Sequence, residues 1–263
     1  MRADKFFAEK FGSRTKSAEA IENGLVLVNG KKIKPKDEII GDEEIVYIKS
    51  EESFVSNGGY KLSRALKNFE FSVENMVFAD IGASTGGFTD CLLQNGVKKV
   101  YAVDVGESLL HSSLQNHPKI VKMENVNARY LKKSDFLESI DGVSVDVSFI
   151  SLKLILPAIK EILTPNGVAF LLIKPQFECE KKNIGKSGIV HPSAHSKIVK
   201  SVVEFCIQLG LYPFAIVNAP IRKGKNIEYV LQVRPYGKGA MSILTIEEKV
   251  KMFVKLNSLN ELI

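Results

Sequence analysis

Four ionisable side chains lie far apart in the chain, three of them outside the expected strands and the fourth inside one. Lys61 sits in Gly58-Gly59-Tyr60-Lys61-Leu62, and Asp146 sits between Val145 and Val147. Lys174 heads Lys174-Pro175-Gln176-Phe177-Glu178, and Glu228 lies in Asn226-Ile227-Glu228-Tyr229. A single Lys or Glu at a strand end is ordinarily a surface residue, because neither is often buried unpaired. Asp146 is a different case: a carboxylate within an apolar strand needs a partner or a function. Two lysines and two carboxylates brought together could activate a poorly acidic sugar hydroxyl. An amine can accept its proton or stabilise the developing alkoxide, while the carboxylates orient the amines.

A second constellation is the turn Asp80-Ile81-Gly82-Ala83-Ser84-Thr85-Gly86-Gly87-Phe88, which follows an apolar run. Glycines between a strand and a helix let the backbone approach a ligand closely. The spacing is not G-x-G-x-x-G, so the dinucleotide fingerprint is not met. An acid at the strand end followed by Gly-Ala and Gly-Gly suits S-adenosylmethionine (SAM), which has a charged amino-acid end to hold and no pyrophosphate. Asp104, in Val103-Asp104-Val105-Gly106, follows Gly82 by 22 residues, which fits a carboxylate accepting both ribose hydroxyls. Asn127-Ala128 could contact an adenine or simply form a turn. The expected cofactor residues are therefore Asp80, Gly82 to Phe88, Asp104, Val105, Asn127 and Ala128. His191 and His195 have no third ligand in view, so no metal is expected.

These residues need a scaffold. From residue 57 onward the pattern alternates strand and helix, which argues a doubly wound α/β sheet. Strands are expected at Met76–Ile81, Lys99–Val105, Val143–Ile150 (with a polar interruption) and Val168–Ile173, with helices at Phe88–Gln94, Leu154–Leu163 and Ser196–Gly210. Thr164-Pro165-Asn166-Gly167 reads as the turn closing the second of these helices. Phe214–Asn218 and Tyr229–Val233 are joined without a helix, so they should pair antiparallel. Thr245–Leu256 reads as a terminal helix with a Thr245/Glu248 capping box and an apolar stripe.

Residues 1–49 read as a separate α+β module. A short amphipathic helix over Arg2–Phe11 precedes a second helix ended by Asn23-Gly24, then strands at Leu25–Val28 and Ile45–Ile48. Asn29-Gly30 is a strong hairpin signal. Residues 50–56 read as a linker, leaving 57–263 as the larger domain. Basic side chains gather near the second helix (Arg14, Lys16) and on the hairpin (Lys31, Lys32); with Arg2 they are the candidate RNA contacts.

Composition bounds the rest. The 263 residues are 45% hydrophobic and 25% charged, which is globular rather than disordered. Val168–Ile173, the longest clean apolar run, is far shorter than the roughly 20 residues of a membrane span. The N-terminus shows no secretory h-region, so a cytoplasmic protein is expected. Cys91, Cys179 and Cys206 form no disulfide or zinc pattern and read as small buried thiols. The net charge of +6 is uneven: residues 171–263 hold 14 basic and 7 acidic side chains. This favours a polyanionic partner, though a solvated basic face would look the same.

Two resemblances sharpen this reading. Arg2, Asp4, Ser13-Arg14, Ser17, Ala20-Ile21, Gly24, Val26 and Val28-Asn29-Gly30 make the first module similar to an S4 RNA-binding domain. Gly-Gly-Tyr-Lys-Leu, Asp80 to Phe88, Val145 to Ser151, Lys174 to Glu178 and Asn226 to Tyr229 make the remainder resemble the FtsJ-type ribose methyltransferases. The combination, over residues 1 to about 235, resembles the TlyA family. That likeness implies SAM-dependent 2′-O-methylation of cytidine in ribosomal RNA. It makes Lys61, Asp146, Lys174 and Glu228 a catalytic Lys-Asp-Lys-Glu tetrad, with Lys174 closest to the proton transfer. Asn57 departs from the basic residue often found before Gly-Gly, and Lys225 from the glycine often found before the Asn. Family members often carry the label hemolysin, so a membrane-active protein is one competing reading. A non-catalytic rRNA-binding protein on a methyltransferase scaffold is another.

Overall fold

The computed structural model describes residues 1–22, 24–47, 53–221 and 224–260; the side chains of Lys16, Glu19, Leu259 and Asn260 lie outside the description. The chain divides into two compact units, Met1–Ser53 and Phe54–Ile263.

In the first unit, α1 (Ala3–Phe6), α2 (Ala8–Phe11) and α3 (Arg14–Glu22) precede β1 (Val26–Val28), β2 (Lys31–Lys32) and β3 (Ile45–Tyr47). The expected first helix is thus two short ones, broken at Phe7, whose ring is buried in the unit's core. That core is built from Ala3, Phe7, Ile21, Val26, Val28 and Ile39. β1 is central and antiparallel to both neighbours. Asn29 and Gly30 both take positive φ (49° and 71°), the two-residue hairpin geometry that matches strand twist.

The second unit opens with α4 (Asn57–Asn68), a helix not anticipated, which buries Leu62, Ala65 and Leu66. Next come β4 (Val77–Ile81), α5 (Gly87–Gln94), β5 (Lys99–Val103), β6 (Ile120–Met123) and β7 (Ile140–Val145). They are followed by α6 (Leu156–Ile162), β8 (Leu163–Ile173), α7 (Pro175–Glu178), α8 (His195–Gln208), β9 (Tyr212–Asn218), β10 (Tyr229–Arg234) and α9 (Ile243–Asn260). The seven-stranded sheet has the order β6-β5-β4-β7-β8-β10-β9. Its first five strands are parallel, and β10 runs antiparallel to both β8 and β9 as expected. Side chains alternate across the sheet. Phe170 and Leu172 join α4 and α5 on one face; Leu171 and Ile173 join α6, α8 and α9 on the other. Continuous apolar strands are what burial on both faces requires.

Four expectations are corrected. The third strand ends at Val145, so Asp146 stands one residue beyond it rather than within it. The segment 164–167 is not a free turn but a bulge inside β8: Ile140 pairs with Leu163 and Gly142 with Val168, so four residues face Asp141 alone. The terminal helix starts two residues before Thr245, and the Ser242 hydroxyl accepts the Thr245 N–H, in place of the Thr245/Glu248 box. Cys179 is half-buried, unlike Cys91 and Cys206.

The chain leaves the sheet centre at β4, runs outward through β5 and β6, and returns beside β4 as β7. The crevice beyond the carboxyl ends of β4 and β7 is therefore the switch point where doubly wound sheets bind ligands.

Candidate active site

Every candidate of the second unit's two constellations except Asp80 and Gly86 lines a cavity at that switch point. Gly82 follows β4, Asp104 follows β5, Asp146 follows β7 and Lys174 follows β8. Glu228 immediately precedes β10; because that strand is antiparallel, with Tyr229 opposite Ile173, it opens at the same edge. Lys61 is presented by the second turn of α4.

The four ionisable residues form one chain of contacts. Lys61 Nζ lies 2.7 Å from Glu228 Oε2 and 4.0 Å from Asp146 Oδ2. Lys174 Nζ lies 2.6 Å from Asp146 Oδ1 and donates to Ser148 Oγ at 2.7 Å. Lys174 is buried to within 9% of its side-chain surface, while the other three are about one-fifth exposed. An amine has three hydrogen-bonding positions. Asp146 and Ser148 occupy two on Lys174, and the third is open among the described residues. Ser148 was not singled out in the sequence; its signal was the polar break after Asp146.

The backbone locks this arrangement. The Asp146 N–H donates to the Ile81 carbonyl at 3.0 Å. Gly82, at φ +79°, packs so tightly that a Cβ there would lie 2.7 Å from the Asp146 carbonyl oxygen. Glu178 ties the two following loops together, accepting from the Ser151 hydroxyl at 2.6 Å and the Leu152 N–H at 2.7 Å. Burial holds its carboxyl above the usual range.

Two lobes of one cavity flank Asp146. The larger, about 390 Å³, is lined by Asp104, Val105, Asn127, Ala128 and apolar side chains that include Val126 and Ile155. The Asp104 carboxylate at its edge is aimed by two backbone donors, Ser84 N–H at 2.8 Å and Gly106 N–H at 2.9 Å. The smaller, about 180 Å³, is lined by Ser84, Thr85, Gly87, Phe88, Ser148 and Lys174. Gly82, Ser84, Asp146 and Ser148 belong to both lobes. An apolar slot with a carboxylate at one end and a polar annex at the other suits a nucleoside bearing a charged tail.

Asp80 is corrected. It is completely buried, and its two oxygens accept from Thr89 Oγ1 (2.6 Å) and Ser144 Oγ (2.8 Å). It therefore braces the loop from beneath, and burial pushes its carboxyl up to about 6. His195 is also structural: its ring is buried and Nδ1 meets the Tyr229 hydroxyl at 2.9 Å. No metal-binding cluster occurs among the described residues.

In the first unit the structure brings together Arg2 and Arg14. Both bind Oδ2 of the buried Asp4, at 2.7 and 3.1 Å, and both remain about half exposed. Lys31 and Lys32 constitute β2 and are exposed. The side chain of Lys16 lies outside the described residues.

Comparison with known proteins agrees with this architecture. The FtsJ-like methyltransferase family model matches residues 54–234, and the S4 domain model matches residues 1–45. The chain is 36% identical over 242 residues to the 16S/23S rRNA (cytidine-2′-O)-methyltransferase TlyA of Mycobacterium tuberculosis, covering 90% of each protein. It is 41% identical over 221 residues to Hemolysin A of Brachyspira hyodysenteriae, covering 83% of this chain and 92% of that protein. A solved structure of a hemolysin-named protein from Streptococcus thermophilus aligns with TM-score 0.75 at 39% identity, over 99% of this chain and 98% of that one. No helix among the described residues is long and apolar enough to cross a membrane. With an S4 domain ahead of an FtsJ-like methyltransferase domain, and with relatives of this identity and coverage, the chain belongs to the TlyA family of FtsJ-like methyltransferases.

Proposed function

We propose that this protein methylates the 2′-hydroxyl of a cytidine in ribosomal RNA, using SAM, in the cytoplasm. The observation that carries the reading is the convergence of Lys61, Asp146, Lys174 and Glu228 on the cavity floored by Gly82. The residues present fit SAM. Asp104 would accept the ribose hydroxyls, with Val105, Asn127 and Ala128 against the adenine. Ala83, Ser84, Thr85, Gly86, Gly87 and Phe88 would surround the amino-acid end. When bound, SAM supplies an electrophilic methyl on a positive sulfonium, so a nucleophilic oxygen and in-line placement suffice.

The chain's own groups supply that oxygen. With the Lys174 amine entering the step uncharged, the lone pair at its open position meets the 2′-hydroxyl and takes up its proton. The ammonium so formed stays on Asp146 Oδ1 beside the oxygen as it attacks. Glu228 holds Lys61, whose charge lies on the far side of Asp146 and keeps that carboxylate in place. Residues 1–49 act as the RNA-binding domain through Arg2, Arg14, Lys16, Lys31 and Lys32. Residues 50–56 act as linker, and 57–263 as the catalytic domain.

The test is transfer from radiolabelled SAM to ribosomal subunits lacking the modification, followed by alkaline digestion. A 2′-O-methyl blocks cleavage at its own phosphodiester, so label in an alkali-resistant dinucleotide supports the reading. Label only in mononucleotides means base methylation. SAM binding without transfer to either subunit points to another RNA, and no SAM binding at all favours a non-catalytic rRNA binder.

A further inference from the structure

A lysine amine turns about its Cε–Nζ bond, so placing Nζ does not by itself decide which of its three positions faces a substrate. On Lys174 two positions are taken, by Asp146 Oδ1 at 2.6 Å and by Ser148 Oγ at 2.7 Å. The uncharged amine that serves as a base has two hydrogens and one lone pair. Asp146 is an acceptor only, so it holds one hydrogen. It leaves the second hydrogen and the lone pair free to exchange between the two remaining positions. An acceptor in one of these settles the matter, and Ser148 Oγ stands there, taking an N–H from Lys174. Ser148 lines both lobes of the cofactor cavity, so its own hydrogen can turn to the cavity.

The loop that carries Ser148 is fixed to the segment that follows Lys174. Directly after Ser148, Phe149 takes φ +64°, a left-handed conformation that is strained for a bulky residue and persists only where the surroundings enforce it. Its ring meets that of Phe177 on α7, with centroids 5.2 Å apart. Two residues further on, Ser151 Oγ and the Leu152 N–H both donate to Glu178, at 2.6 and 2.7 Å. Ser148 therefore lies between the Asp146 carboxylate on one side and two ties to α7 on the other. Lys174 is the residue immediately before α7, so the hydroxyl and the amine belong to one rigid frame.

We infer that Ser148 is a positioning residue for methyl transfer: its hydroxyl fixes the rotation of the Lys174 amine and so reserves the third position of Nζ for the lone pair. The inference rests on the reading of Lys174 as the base in ribose methylation. With its two hydrogens on Asp146 and Ser148, Lys174 takes the 2′-hydroxyl proton at that third position. The resulting ammonium then has three N–H groups, one on each carboxylate or hydroxyl partner and one beside the methylated oxygen. Without Ser148, the amine can instead turn an N–H toward the substrate, where it has no lone pair to offer.

The test is single-turnover transfer from radiolabelled SAM by the full-length protein to ribosomal subunits lacking the modification. Ser148→Ala should lower the rate by about 10–100-fold, the scale of a misdirected catalytic group. SAM affinity and KM for the subunits should stay within about twofold, because the loss belongs to the transition state alone. Ser148→Cys keeps the size of the side chain but offers only a weak acceptor, so it should fall with the alanine variant. In a Lys174→Ala background, adding Ser148→Ala should cost less than about twofold, since no amine is left to aim. A Ser148→Cys protein with the wild-type rate, a double variant in which the two losses add in full, or a loss confined to SAM affinity or KM overturns the inference while leaving ribose methylation standing. Failure of the wild type to methylate any ribose overturns both.

Discussion

Lys174 carries the sharpest chemical claim, because the proposed mechanism puts the oxygen to be methylated at its open hydrogen-bonding position. Lys174→Ala should lower kcat by about 10²–10⁴-fold, the usual range for removal of a general base, with SAM affinity unchanged by calorimetry. Lys174→Arg separates charge from proton transfer. A guanidinium keeps the cation but does not give up its proton, so it should be nearly as inactive as the alanine variant. Recovery of more than about a tenth of wild-type kcat would show that charge alone suffices. Asp80 makes a different claim, on stability. Its folded-state carboxyl titrates near 6 against an ordinary 3.8, chiefly because it is buried. A raised acid binds more protons in the native than in the unfolded state between those values. Stability is therefore lost as pH rises through the window. Asp80→Asn keeps the shape, and the Thr89 and Ser144 hydroxyls can turn to suit an amide. Relative to this variant, the wild type should lose about 2 kcal/mol between pH 4 and pH 7 by urea unfolding. Parallel pH profiles for the two proteins would mean that Asp80 is not the titrating group.

The loop after β4 and the loop after β7 act as one piece, because the Gly82 backbone and the Asp146 carbonyl touch. Gly82→Ala adds a Cβ 2.7 Å from that oxygen and also forces a side chain to φ +79°. Gly210→Ala isolates the second cost, since Gly210 has φ +72° and its Cβ would meet only ordinary contacts with Lys160. Unfolding should show a loss of about 1–2 kcal/mol for Gly210→Ala with transfer unaffected. Gly82→Ala should lose more stability and, by moving Asp146, most of kcat. Equal effects would mean that the two loops are independent. In the first unit, Asp4 holds Arg2 and Arg14 side by side, and their guanidinium groups keep its carboxyl below the usual range against the opposing effect of burial. Asp4→Asn makes the unit more positive, so bulk electrostatics predicts tighter RNA binding; if Asp4 positions the arginines, affinity falls instead. Filter binding to rRNA decides by the sign. These loops also show where the sequence was legible. The four tetrad residues could be found because each ionisable type interrupts an apolar pattern or follows one. The end of β7 was missed because Val147 and Ile150 continue the apolar run while lining a cavity rather than the sheet. The segment 164–167 has turn composition, yet it is a bulge, because residues on both sides of it pair with the same strand. β6 was missed because it is short and only partly buried, and Asp80 because its burial depends on Thr89 and Ser144 from other elements.

Charge is divided between the two units in a way their folds alone would not suggest. Residues 1–53 hold ten basic and eleven acidic side chains, whereas residues 54–263 hold 26 and 19. The S4 unit is thus slightly acidic overall, and the catalytic unit carries the whole basic excess. Counterion release scales with the number of phosphates neutralised, whereas register depends on a few well-placed side chains. The two units should therefore fail differently. Residues 54–263 form a compact unit with hydrophobic clusters of their own, so they should fold and bind SAM with wild-type affinity. Their transfer to ribosomal subunits should suffer mainly through KM, since the tetrad is intact but the paired arginines are gone. Neutralising exposed lysines of the catalytic unit should act through salt dependence instead. Lys181, Lys182 and Lys186 precede Gly188 and Val190, which the Asn226 amide ties to the segment before β10. Their triple replacement by Gln should flatten the plot of log affinity against log salt by about 0.7–0.9 for each phosphate no longer neutralised, while leaving kcat at saturating RNA unchanged. If removing residues 1–53 flattens that slope more than the triple replacement does, the S4 unit is the main phosphate binder despite its net charge, and the division of labour is reversed.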